Sequence, residues 1–193
     1  MHLIIYGPEG SGKGTQGKLL AEKLNLEVYT SGDLVREKAK QESTQEGKIC
    51  RQALLTGQYV PDNVMFKLWQ EKLESKDALK GFILDGFPRN IHQAEFLFSV
   101  ISKVNYDVDK FIYIKLSDEE SLKRLLKRNR QVFEGSGVSH DTEERVKKRL
   151  QVYHQMEVDL VDFFRKKGLL VEIGGEQSVD NVFEEIKAKL NIN

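Results

Sequence analysis

An apolar run, Leu3-Ile4-Ile5-Tyr6, gives way near the start of the chain to Gly7-Pro8-Glu9-Gly10-Ser11-Gly12-Lys13-Gly14-Thr15. A strand that ends in a glycine-rich loop and resumes as a helix at a lysine has few backbone routes open to it. Gly7, Gly10 and Gly12 let the backbone turn tightly and aim successive N–H groups inward, and Lys13 adds a point charge where a β- or γ-phosphate would lie. The helix predicted to start near Lys13 points its positive end at the same anion. Glycine spacing, lysine, threonine and preceding strand together imply a bound nucleoside triphosphate.

Further short apolar runs occur at Glu27–Tyr29, Phe82–Leu84, Phe111–Ile114 and Leu169–Ile173, with stretches of helix-like apolar spacing between them. That alternation predicts an α/β sandwich on a parallel sheet, whose strands are buried on both faces and so read as continuously apolar. A ligand then belongs at the carboxyl ends of the strands, where Gly7, Asp85 and Ser117 follow. Residues of about 31 to 60 and about 129 to 141 break this rhythm. The first segment is helical in pattern, with Leu34, Val35, Ala39, Ile49, Ala53, Leu54 and Leu55, and the second reads as a loop rich in turn residues.

Composition narrows the function classes. The 193 residues suffice for one domain, and 30 basic against 30 acidic residues leave no net field for gripping nucleic acid or an anionic membrane. Cys50, the single cysteine, excludes an internal disulfide and a zinc site of several thiolates. No run approaches the ~18 apolar residues of a membrane span, and no leader-like segment precedes the first strand. A cytoplasmic monomer is expected.

Gly7 to Gln16, Ser31-Gly32-Asp33-Leu34-Val35-Arg36, Asp85-Gly86-Phe87-Pro88-Arg89 with Gln93, and Lys148-Arg149-Leu150 together resemble adenylate kinase and its nucleoside monophosphate kinase relatives among the P-loop NTPases. The resemblance implies a three-layer sandwich with a five-stranded parallel sheet. It also implies a monophosphate-binding insertion at 30–60 and a short lid at 128–141, on a core of 1–29, 61–127 and 142–193. The implied reaction is Mg²⁺-dependent transfer from ATP to AMP, giving two ADP. The alternatives are a kinase of CMP or UMP and a catalytically silent nucleotide-binding regulator.

The same resemblance distributes roles. Gly10, Ser11, Gly12, Lys13, Gly14 and Thr15 hold the ATP phosphates, with Arg124, Arg128 and Gln177 completing that site. Ser31, Arg36, Gln58, Tyr59, Val60, Gly86, Phe87, Pro88, Arg89, Gln93 and Arg149 take AMP. Lys13, Arg89, Arg128 and Arg149 are the expected catalytic cations, since phosphoryl transfer relies on positioning and charge neutralisation. Thr15 and Asp85 reach Mg²⁺ through water, with Asp33 a second candidate. Gln93 offers a donor and an acceptor that match adenine's edge.

Two positions depart from the family pattern. Val138-Ser139-His140-Asp141 stands where relatives show Gly-Arg-x-Asp-Asp, so an arginine is absent and Arg130 is expected to replace it. Glu9 stands where relatives carry proline, and its carboxylate is expected to point to solvent, away from the polyphosphate. The lid lacks zinc ligands, and a lid this short implies some ATP hydrolysis without acceptor. His2, His92, His140 and His154 form no metal spacing and take no assigned role.

Overall fold

The computed structural model describes residues 1–56, 58, 60–129, 139 and 141–192. Five strands, β1 (His2–Tyr6), β2 (Glu27–Thr30), β3 (Phe82–Asp85), β4 (Lys110–Lys115) and β5 (Leu170–Gly174), form one sheet in the order β2-β3-β1-β4-β5. Every pairing is parallel, with Ile4 opposite Leu84 on one side and Phe111 on the other. Parallel neighbours require a crossover between them. Those crossovers carry α1 (Lys13–Leu24), α2 (Ser31–Ala39), α3 (Gln45–Thr56), α4 (Asp62–Leu73), α5 (Ile91–Ile101), α6 (Asp118–Arg128) and α7 (Glu143–Lys166), and α8 (Val179–Leu190) follows β5.

The period of two in β1 divides its side chains between two apolar layers. Leu3 and Ile5 join Ile83, Ile112, Ile114 and Ile173 beneath Leu20 of α1 and Val182 and Ile186 of α8. Ile4 and Tyr6 join Leu84 and Phe111 on the opposite face, against Trp69 of α4, Leu97 of α5 and Phe164 of α7. Phe111 and Phe164 stack with centroids 4.0 Å apart. Cys50 is fully buried on α3, a small core residue.

The cap of α2 is Thr30, whose hydroxyl accepts the N–H of Asp33 at 3.0 Å, and Ser31 is the first residue of the helix. The helix carrying Arg149 runs on to Lys166, because Leu160, Val161 and Phe164 continue its buried stripe. Among the described residues no helix is long and apolar enough to cross a membrane.

Candidate active site

The carboxyl ends of β1 and β3 open into a cleft of about 920 Å³. Its floor is the turn from β1 to α1. Gly7 at φ 149° could not carry a side chain, because a Cβ there would come within 2.4 Å of the Ile114 carbonyl oxygen. Gly12, at φ 91°, is the residue before α1 and occupies the left-handed region that favours glycine. The loop thus presents backbone to the cleft and lets α1 aim its N-terminus there.

Lys13 folds under this loop, its ammonium donating to the carbonyls of Gly7 at 2.7 Å and Pro8 at 2.8 Å. Burial pulls its pKa down to about 8, against the opposing pull of Asp85 and Glu9. Asp85 ends β3 with its carboxylate beside the start of α1, one oxygen 3.7 Å from where a Cβ on Gly14 would stand. Burial raises its pKa, while the charges of Lys13 and Arg89 hold it down.

Four arginines border the same cleft together with Gly10, Gly14 and Thr15. Arg89 is exposed, and its Nε donates to the Gly86 carbonyl at 2.9 Å. The Phe87–Pro88 peptide preceding it is cis, and Phe87 is buried against Trp69 with ring centroids 4.6 Å apart. Arg124 is fixed by Glu120 at 2.8 Å, by the Gly10 carbonyl at 3.3 Å and by the Gly175 carbonyl at 3.0 Å. Arg128 and Arg149 converge from α6 and α7 on Asp141, whose side chain is 0% exposed. Asp141 accepts from Arg128 at 2.9 and 3.1 Å and from Arg149 at 3.0 Å.

Glu9 corrects its expected direction. Its Oε2 lies 3.1 Å from Nη1 of Arg149 and 3.7 Å from Nη2 of Arg128, facing the cleft rather than solvent. The two guanidiniums, with Arg149 only 16% exposed, attract it more than water does. Asp141 was not singled out by sequence, since an acid ahead of a charged helix reads as an ordinary first-turn residue.

The remaining candidates stand around rather than in the cleft. Ser31 donates its hydroxyl to the Gly86 carbonyl at 3.0 Å, which places it beside Arg89. Gln93 is buried, accepting the N–H of Arg89 at 2.8 Å and donating to Asp62 at 3.0 Å. Arg36 is exposed, turned back onto Asp33 at 2.6 Å, and does not line the cleft with the four arginines. Asp33 is thereby spent on Arg36 and on Thr30, and does not border the cleft with Thr15 and Asp85. Gln177, exposed, bonds the Gly174 carbonyl and Glu185 two residues beyond the carbonyl that Arg124 grips. Ser11 is buried in the loop, Gln58 is exposed and Val60 partly buried. Tyr59, Arg130, Val138 and His140 lie outside the described residues.

One further polar cluster escaped sequence reading. His154 of α7 joins Asp118 of α6 at 2.7 Å to Glu157 at 2.9 Å, and Glu157 also accepts the hydroxyls of Tyr113 and Tyr153.

The family profile described as adenylate kinase matches residues 5–169. A protein of Archaeoglobus fulgidus named adenylate kinase is 36% identical over 214 aligned positions, covering 98% of each chain. Those positions outnumber the 193 residues here, so that relative carries segments with no counterpart in this chain. Adenylate kinases of Parabacteroides distasonis and Prochlorococcus marinus are 37% and 38% identical over 191 and 190 residues, covering 99% and 98% of this chain and 98% and 97% of theirs. Profile and relatives agree over nearly the whole length, and the chain belongs to the adenylate kinase family.

Proposed function

We propose that this chain catalyses reversible transfer of the terminal phosphoryl group of ATP to AMP, giving two ADP, with Mg²⁺. The observation that carries this reading is the convergence of the loop from Gly10 to Thr15, Lys13, Asp85, Arg89, Arg128 and Arg149 on one cleft. A triphosphate alone needs the loop and its lysine. A second set of guanidiniums facing the loop suits a second phosphorylated ligand.

In this reading the loop amides and Lys13 hold the donor phosphates, and Arg124, with Gln177 nearby, borders the adenine. Arg89, Arg128 and Arg149 absorb charge spread over the transferring oxygens and align the two ligands. An ionised AMP phosphate attacks without a general base, which agrees with a cleft lining that holds no histidine among the described residues. Ser31, Gln58, Val60, Gly86, Phe87, Pro88 and Gln93 form the acceptor side, and Arg36 swings from Asp33 onto the AMP phosphate. The segment 30–60 would be the acceptor-binding insertion and 128–141 the lid, and the chain would act as a cytoplasmic monomer on free nucleotides, without nucleic acid or membrane.

Mg²⁺ fits the residues present. No group of three or more His, Cys, Asp or Glu side chains able to hold a metal occurs among the described residues. One partly buried carboxylate, Asp85, with the exposed Thr15 on the same cleft, suits a cation held chiefly by phosphate oxygens and water. When bound, it neutralises charge on the β- and γ-phosphates. The test is an ADP-forming assay with ATP and Mg²⁺ and with AMP, CMP, UMP or GMP as acceptor. AMP is expected to be the best acceptor, and a stronger response to UMP or CMP would overturn the base assignment.

A further inference from the structure

The carboxylate of Glu9 is held in place from both ends. Its backbone carbonyl accepts the hydroxyl of the fully buried Ser121 on α6, which docks the phosphate loop against that helix. Its side chain then reaches across the loop to Arg149 and Arg128, at 3.1 and 3.7 Å, and Oε2 is buried. Arg149 is itself only 16% exposed, so its charge depends on nearby carboxylates rather than on water. Among the described residues, Asp141 joins Glu9 as a second carboxylate on the same two guanidiniums.

Resting on the reading of this cleft as a polyphosphate site, we propose that Glu9 is a positioning residue that competes with the polyphosphate for Arg149 and Arg128. While the cleft is free of nucleotide, the carboxylate keeps both guanidiniums aimed into it. An arriving phosphate takes over those guanidiniums and meets a like charge in its own loop. Glu9 therefore readies the arginines at the expense of nucleotide affinity, and it speeds departure of the product by reclaiming them. Asp141 cannot play this part, because it is not part of the loop that wraps the phosphates.

The test is calorimetric titration with inorganic tripolyphosphate, which carries the anion but neither base nor ribose, on the whole chain as wild type, Glu9→Gln, Arg149→Ala and the double variant. Glu9→Gln is expected to bind tripolyphosphate about tenfold tighter, with most of that gain lost in the Arg149→Ala background. In steady state, KM for ATP should fall in Glu9→Gln while kcat does not rise. A carboxylate that merely braced the loop would give the opposite sign, since its removal would loosen the loop and weaken binding. Unchanged or weaker binding by Glu9→Gln would overturn the proposal, and Glu9→Ala provides the same comparison if the glutamine variant does not fold. Failure of the wild type to bind tripolyphosphate at all would instead overturn the reading of the cleft, and the role of Glu9 with it.

Discussion

The side-chain oxygen of Gln93 accepts the backbone N–H of Arg89 at 2.8 Å, so the residue proposed to read the acceptor base also braces the arginine proposed to grip its phosphate. Asp62 fixes the other end of the same amide at 3.0 Å. Gln93→Ala is therefore expected to raise KM for AMP and to lower kcat with every monophosphate, adenine or not. Steady-state kinetics with AMP and UMP check this. A loss confined to AMP, with kcat unchanged, would mean that Gln93 contacts only the base.

Arg149 and Arg36 should separate cleanly. Arg149 already faces the cleft beside Arg128, and Arg149→Ala is expected to lower kcat by about a hundredfold or more, the scale seen when one preorganised charge donor is lost. Arg36 points away, paired with Asp33 and 60% exposed. Arg36→Ala is expected to raise KM for AMP about tenfold while leaving KM for ATP alone, the worth of one charge-assisted contact. Equal effects on both substrates would contradict the division of the cleft.

Two glycines of one loop should respond unequally to the same methyl group. A Cβ at Gly7 meets the Ile114 carbonyl oxygen at 2.4 Å, whereas one at Gly12 meets nothing within 4 Å. Gly12→Ala bears only the left-handed backbone penalty, about 1–2 kcal/mol. Gly7→Ala adds a clash with the neighbouring strand and should cost a further 1–3 kcal/mol or so. Urea unfolding of the two variants gives the order directly.

How much of this could be read beforehand depends on how local the cause is. Strands β1, β3 and β4 announce themselves because both faces are apolar, and the loop because its glycines answer a local backbone demand. The direction of Glu9 is set by Arg149 and Arg128, which lie far along the chain, so only the fold could reveal it. Capping by Thr30 rather than Ser31 turns on where β2 ends, although serine is the better cap by type. The His154 cluster draws on α6, α7 and β4, and no spacing in the sequence marks those partners.

That cluster predicts a pH dependence of stability. Burial opposes the charge on His154, but Asp118 and Glu157 outweigh it, and the pKa is raised above 6.5. A group raised on folding contributes stability that is fully present below its unfolded value and is lost as pH rises through the folded one. The stability advantage of wild type over His154→Gln is thus expected to be largest below about pH 6.5 and to shrink at alkaline pH. Urea midpoints of both proteins across that range test it, and an advantage that grows with pH would contradict it.

The central claim is direct transfer between two nucleotides in one cleft. ATP labelled in its γ-phosphate, incubated with the protein, Mg²⁺ and unlabelled AMP, tests it most directly. The account predicts that the label appears in the β-position of ADP. Label released as inorganic phosphate, or retained in ATP, would contradict it.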